Sequence, residues 1–313
     1  MLDVTILGRI GYDLIADQPG VPLAEVRSFT RYLGGSSANM AVGLSRLGLQ
    51  CGIVSALGTE GISDYLCGFL AKEGVDVAHV HRVEGLLPSL ALTELHPPDR
   101  FPQVYYRQDP ADAHLAVTGE DLNYIGRSRM FITNGTALCA SPSRESAYRA
   151  LERARNAGCR TVFDIDYRWM SWKSPEEAGL AAKLALPYVD VLVGNETEFK
   201  LAAGTNDLNA AVDILRDSGV QIVLSKMSEH GVRAFDRNEE YFAPPFEVEV
   251  ASTIGAGDGF ASGFLYALHK GKPVDVCLRY GNAAAAIVVS RPSCSEAMPT
   301  LAEVEDLIRR QPR

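Results

Sequence analysis

Ser252-Thr253-Ile254-Gly255-Ala256-Gly257-Asp258-Gly259-Phe260, followed at once by the apolar-periodic run ASGFLYALHKG, places three glycines and a single acid at the mouth of a helix. Glycines tolerate positive φ and let backbone N–H groups converge with no Cβ in the way, which makes an anion cradle. At a helix start the cradle also gains unpaired N–H donors and the positive end of the helix dipole. Phe260, Phe264 and Leu268 recur at helical spacing to give an apolar face, and Gly271 supplies a C-terminal stop. Asp258 has two readings. It is either an acid stabilised by the dipole of its own helix, or a general base that takes a hydroxyl proton as that oxygen attacks a phosphoryl group beside the cradle.

Neither standard nucleotide fingerprint is present, since glycines 255, 257 and 259 do not make GxGxxG and no GxxxxGK[ST] occurs. A second glycine cluster, YLGGSSANMAVGLSRLG at 32–48, sets Gly34 and Gly35 before a small-residue helix entry with Asn39 about one turn in. A tight strand-to-helix turn accounts for the glycines but does not require Asn39. Asp13 follows GRIGY after the first apolar run, at the edge where α/β sheets bind ligands. Asp13 and Asn39 together can hydrogen-bond sugar hydroxyls.

The rest of the chain bounds these readings. Its 313 residues, 47% hydrophobic, suffice for a large core. A net charge of −9 and the lack of a basic block argue against a nucleic-acid partner. Six cysteines are scattered without CxxC pairs, which suggests a reducing compartment and no zinc site. With no cationic leader and no apolar window of membrane-spanning length, the expectation is a soluble cytoplasmic protein with no membrane partner.

Short β-rich runs (VTILGRI, CGIVSAL, RMFITNG, RTVFDIDY, DVLVGN, VQIVLSKM) alternate with amphipathic stretches such as 143–157. This pattern predicts a mostly parallel sheet covered by helices on both faces. Residues 13–33 and 88–108 break it and read as a small strand-built excursion, either a lid or a peripheral hairpin. Thr300 and Glu303 predict a capping box for a closing helix. The expected organisation is one unit over 1–313 plus the excursion.

Three motifs then coincide in order. The Gly-Gly stretch at 34–48, GNETEF at 194–199 and STIGAGDGF at 252–260 resemble the ribokinase-like, or PfkB-type, family of carbohydrate kinases, over essentially all of residues 3–310. The resemblance implies an α/β fold, a three-layer α/β/α domain with a mostly parallel central sheet and a small β lid over the sugar, with ATP as donor and Mg2+ as the ion. It implies Asp258 as catalytic base and backbone donors at Gly255, Ala256 and Gly257 as the anion hole. It further implies that Asn195 and Glu198 organise magnesium and phosphate through water, that Lys226 and Gly231 approach the nucleotide, and that Asn282 flanks adenine. The sugar side would be Asp13, Gly34, Gly35 and Asn39. A homodimer through the lid is also expected. Two positions depart from the family pattern. Ser252 stands where an acid associated with a monovalent-cation site is usual, which makes potassium activation doubtful, and Ser228 stands where glycine is common.

Within the family, GRIGYDL, PPDRFP, FDIDYR and SCSEAMPT look like the members that phosphorylate a 5-dehydro-2-deoxy sugar acid at its C6 hydroxyl. Members acting on 2-dehydro-3-deoxy acids, nucleoside kinases and a sugar-binding sensor without catalysis are the alternatives. An acid substrate needs cationic donors, because a guanidinium matches a carboxylate in charge and plane. The candidates are Arg168 in DIDYR and Arg107 in VYYRQ, with Tyr106 adding a hydroxyl or ring contact and Arg9 and Lys173 as substitutes.

Overall fold

In the computed structural model, which describes residues 2–312 apart from the Glu229 side chain, the apolar runs become strands with every residue buried, as in VTIL at 4–7 and CGIVSAL at 51–57. Such strands suit a parallel sheet covered on both faces. In chain order the strands are β1 (Val4–Leu7), β2 (Gly11–Ala16), β3 (Phe29–Gly34), β4 (Cys51–Leu57), β5 (Asp76–Arg82), β6 (Ser89–Thr93), β7 (Gln103–Tyr106), β8 (Met130–Asn134), β9 (Arg160–Asp164), β10 (Val191–Asn195), β11 (Ile222–Lys226), β12 (Val232–Phe235) and β13 (Glu240–Ala243). The helices are α1 (Ser36–Arg46), α2 (Gly61–Lys72), α3 (Gly119–Ile125), α4 (Ser143–Asn156), α5 (Pro175–Ala185), α6 (Glu196–Ala203), α7 (Leu208–Asp217), α8 (Ala256–His269), α9 (Val274–Val289) and α10 (Leu301–Arg310).

Nine strands form the large sheet in the order β13-β12-β11-β10-β9-β8-β1-β4-β5. All are parallel except the β12–β13 hairpin at one edge. One hydrophobic cluster joins the sheet to α1, α2, α8, α9 and α10, and a second joins its other face to α3 through α7. The three layers match the expectation from periodicity. Thr300 and Glu303 cap α10 reciprocally, as their spacing predicted. The chain starts mid-sheet at β1, builds outward through β4 and β5, then returns to β8 on the other side of β1. That reversal opens a crevice at the carboxyl ends of β1 and β8, the position where open α/β sheets hold ligands. Among the described residues no helix is long and apolar enough to cross a membrane.

The excursion is a second, four-stranded sheet in the order β3-β2-β6-β7. It begins at Gly11, slightly before the predicted start, because β2 follows β1 after a link of only Gly8–Ile10. Its far end is anchored by Arg107, which follows β7. Arg107 Nη1 and Nη2 donate to the two oxygens of Asp112 at 2.9 and 2.6 Å, and Nη2 also reaches Thr136 O at 3.4 Å. Both side chains are buried, at 6% and 5% exposure. This differs from the sequence expectation for Arg107. Its fork is committed to a neighbouring acid and does not line the crevice, because the chain folds back after β7 and brings Asp112 within reach. Removing one member of a buried pair strands the other charge, so Arg107→Met is expected to destabilise the fold by about 3–5 kcal/mol. Urea denaturation checks this, and a loss near zero would show that the pair does not anchor the lid.

Candidate active site

Two helices open towards one another at the carboxyl edge of the large sheet. α8 starts after Gly255, whose φ is 80° and where an added Cβ would lie 3.0 Å from that of Cys294. Both the left-handed backbone and the close approach call for glycine. α1 starts after Gly35. Asp258, in the first turn of α8, accepts hydrogen bonds from Ser36 Oγ at 2.7 Å and Asn39 Nδ2 at 2.8 Å, both from the start of α1. Burial pushes the Asp258 carboxyl up to about 6, opposed by the Asn39 and Ser36 hydrogen bonds and reinforced by the negative charges of Asp166 and Asp164. A carboxylate poised there can take a proton at neutral pH and release it again.

The cradle beside it is partly open. Ala256 N–H turns back to Thr253 O at 3.3 Å, while the N–H groups of Gly255, Gly257 and Asp258 have no backbone acceptor among the described residues. Asp164 ends β9 and Lys226 ends β11. Lys226 Nζ stands 3.1 Å from each oxygen of Asp164. A Cβ on Gly257 would come within 3.7 Å of the same Nζ, so the ammonium group sits against the cradle. Asp166 takes a left-handed φ of 37° just past β9. Its Oδ1 lies 3.0 Å from Arg168 Nη2, and its Oδ2 is buried with no partner. The Arg168 side chain is 46% exposed, and the Asp166 charge is the first cause of its raised pKa.

These groups line a polar cleft of about 250 Å3 that also takes in Arg9, Asp13, Asn39 and the lid. A larger groove of about 560 Å3 runs between α5 and α6 past Leu180 and Leu201. It holds none of the buried charge that marks the cleft, which makes the cleft the candidate site. Asp13 lies against the backbone of Gly34, where any Cβ would fall 2.2 Å from the Asp13 Cγ. Burial raises the Asp13 carboxyl to about 6, and the positive charge of Arg9 is the largest opposing cause.

The lid contributes Gln103 and Tyr105. Tyr106 is 59% exposed on the other face. The register explains this. Asp13 is beside Ala91, and Ala91 is beside Tyr105, so Asp13 and Tyr105 share the inner face while Tyr106 alternates outward. The tyrosine that faces the cleft is therefore Tyr105, one residue before Tyr106.

Where β10 ends, Asn195 and Glu198 form a reciprocal capping box on α6, outside the lining of the cleft. Glu198 Oε2 accepts from Asn195 N at 2.9 Å and Oε1 from Tyr167 N at 2.8 Å. Burial raises the Glu198 carboxyl, and Lys226 opposes that rise. Gly231 and Asn282 meet elsewhere, around Ala243. An added Cβ on Gly231 would lie 2.4 Å from Ala243 O. Asn282 Nδ2 donates to Ala243 O at 3.0 Å and Pro244 O at 2.8 Å. Neither lines the cleft.

Sequence reading passed over Ser36, Asp164, Asp166, Gln103 and Tyr105. Asp164 and Asp166 carried a usable signal, because two acids at alternating positions where a buried strand ends, in FDIDYR, must leave the sheet at its ligand edge. Ser36 carried none, since its role depends on α8 arriving from the far end of the chain.

Comparison with known proteins agrees with this geometry. Residues 1–301 match the pfkB family of carbohydrate kinases. A 5-dehydro-2-deoxygluconokinase of Geobacillus kaustophilus (strain HTA426) is 36% identical over 98% of this chain and 93% of its own length. One from Bacillus subtilis (strain 168) is 35% identical over 99% of this chain and 96% of its own. Among solved structures, a fructokinase from Xylella fastidiosa with bound ATP covers 100% of both chains with a TM-score of 0.87 at 26% identity. The sheet order, the lid and the acid at the mouth of α8 all lie within the span matched by the family, and the chain belongs to the pfkB family of carbohydrate kinases.

Proposed function

We propose that this carbohydrate kinase transfers the γ-phosphoryl group of ATP to the C6 hydroxyl of 5-dehydro-2-deoxy-D-gluconate, with Asp258 as general base. The observation that carries the reading is Asp258 itself, partly buried, held by Ser36 and Asn39, and placed between an open anion cradle and a cleft with hydroxyl-binding groups. The names of the relatives at 35–36% identity support the choice of sugar acid.

In this mechanism Asp258 accepts the C6 hydroxyl proton as that oxygen bonds to the γ-phosphorus and the bond to the β-phosphate oxygen breaks, giving ADP and the 6-phosphate. The free N–H groups of Gly255 and Gly257 and the Lys226 ammonium face the charge that spreads over the transferring group. Asp13 and the free Oδ1 of Asn39 accept sugar hydroxyls, and Arg168 offers a cation to the acid. Gly231 and Asn282 serve the nucleotide indirectly by fixing the strand and loop around Ala243. Among the described residues no three acidic or histidine side chains converge on one point to bind a metal directly. The unpartnered Oδ2 of Asp166 and the buried Glu198, backed by Asn195, fit instead an ion held through water. Mg2+ there would neutralise phosphate charge and keep most of its own waters.

Both Asp258 and Asp13 must be ionised, and both are raised to about 6. Activity is then present above pH 6 and lost as pH falls through it. The kcat/KM profile is expected to drop more steeply than a single protonation allows. Asp258→Asn should lower kcat by roughly 10²–10⁴ with the fold retained. A near-normal kcat in that variant sinks the assignment.

Ser252 is fully buried and its Oγ accepts from Ile254 N at 3.3 Å. A neutral hydroxyl attracts a monovalent cation less than a carboxylate does, so exchanging sodium for potassium at fixed ionic strength should leave kcat nearly unchanged. Activation of about tenfold would contradict this.

A homodimer through the lid belongs to the same reading. Val104 and Tyr106, 45% and 59% exposed, leave an apolar strip on the outer lid face. Tyr106→Glu should shift a dimer towards monomer in sedimentation, and a wild-type monomer at all concentrations would rule the arrangement out.

A further inference from the structure

Three cations line the cleft, and two of them are already balanced. Lys226 is paired with Asp164 and Arg168 with Asp166. Arg9 is the exception. It leaves the end of β1, is 6% exposed, and has no carboxylate within 4 Å among the described residues. Its Nη1 donates to the neutral Ser89 Oγ at 3.2 Å, and its Nε is buried with no partner. Burying a guanidinium against one hydroxyl is costly unless a counter-charge arrives. Asp13 attracts Arg9 only at longer range, with no ion pair within 4 Å, and its carboxyl lies beside Gly34 and the Cys294 thiol. Arg107, which follows lid strand β7, is consumed by Asp112.

We propose that Arg9, and not Arg107, is the residue that binds the substrate carboxylate and so sets the preference for sugar acids, an inference that rests on the sugar-acid reading above. Arg9 and Arg168 both act on Asp13 and Tyr105, so the two guanidinium groups face the same part of the cleft. In this proposal the acid group held by Arg9 is at C1, the opposite end of the substrate from the C6 hydroxyl that Asp258 receives. Arg168, already balanced by Asp166, is the second donor. Ser89 opens lid strand β6, so the hydroxyl that orients Arg9 comes from the lid while the charge comes from the body.

The test compares kcat/KM for 5-dehydro-2-deoxygluconate with that for its analogue carrying an alcohol at C1. In wild type the acid is expected to be preferred. Arg9→Met should lower that preference roughly 10- to 150-fold, chiefly through KM. Arg9→Lys should keep part of it, since charge remains while the planar fork is lost. Ser89→Ala is a milder variant that leaves the guanidinium in place, and it should reduce the preference in the same direction even where Arg9→Met fails to fold. Arg107→Met should lower stability and leave the preference as in wild type. Retention of the wild-type preference in Arg9→Lys and Ser89→Ala, or its loss in Arg107→Met alone, overturns the role of Arg9 while the kinase reading stands. A wild-type enzyme that phosphorylates neutral sugars and no sugar acid overturns the sugar-acid reading and this inference with it.

Discussion

The hydrogen bonds from Ser36 and Asn39 to Asp258 join residues more than two hundred positions apart and set the relation between α1 and α8. That relation depends on close helix packing. A Cβ on Gly43 of α1 would lie 2.4 Å from Ser262 Oγ of α8. On its other side α8 brings Gly263 against the Tyr280 carbonyl of α9, where a Cβ would fall 2.3 Å from the oxygen. With larger residues at these crossings the helices would separate, and the starts of α1 and α8 could not share one carboxylate. The same cluster carries the core on that side of the sheet. Core packing and the position of the base are therefore one constraint.

Around that base the protein keeps an unusual amount of buried charge. Asp13, Asp164, Asp166, Glu198 and Arg9 are all under a tenth exposed, and Asp258 is partly buried. Such groups are tolerated only where each is paired, hydrogen-bonded or neutralised. Asp164 has Lys226, Asp166 has Arg168, and Glu198 has two backbone donors. The carboxyls of Asp13 and Asp258 respond by rising towards neutrality. Within the cleft three buried polar atoms have no partner, Arg9 Nε, Asn39 Oδ1 and Asp166 Oδ2, one donor and two acceptors. Charge imbalance, more than cavity size, distinguishes this cleft from the larger groove between α5 and α6.

Much of this was legible in the chain because it is written in local rules. Buried β-rich runs separated by amphipathic segments dictate the parallel sheet, and Thr300 with Glu303 dictates the start of α10. The glycine run before Phe260 announces the cradle. The lid strands were legible as strands, but the face they turn inward depends on register against β2 and β6, and a one-residue difference moved the site contact from Tyr106 to Tyr105. Arginine roles were less legible still. Arg107 and Arg168 look alike in sequence, each beside tyrosine, and only the path of the chain after β7 gives one of them Asp112 as a private partner. Arg9 stood out only once every other cation near the cleft had been matched to an acid.

The raised carboxyl of Asp258 also shows which local force prevails. Two helix starts and two hydrogen bonds all favour the ionised form, and a helix terminus alone contributes about 0.3–1 kcal/mol and up to about 2 in partly buried settings. A rise from 3.8 to about 6 nevertheless corresponds to about 3 kcal/mol in favour of the protonated acid. Desolvation outweighs the stabilising contacts, and the neighbouring charges of Asp164 and Asp166 add to it. Without Ser36 and Asn39 the carboxyl would rise further, because both hydrogen bonds favour the ionised form. Fully solvated near 3.8, it would be too weak a base to draw that proton as the phosphoryl group arrives. The opposition between burial and the donors of α1 thus sets the proton affinity of Asp258 in the range that the proposed general-base role calls for.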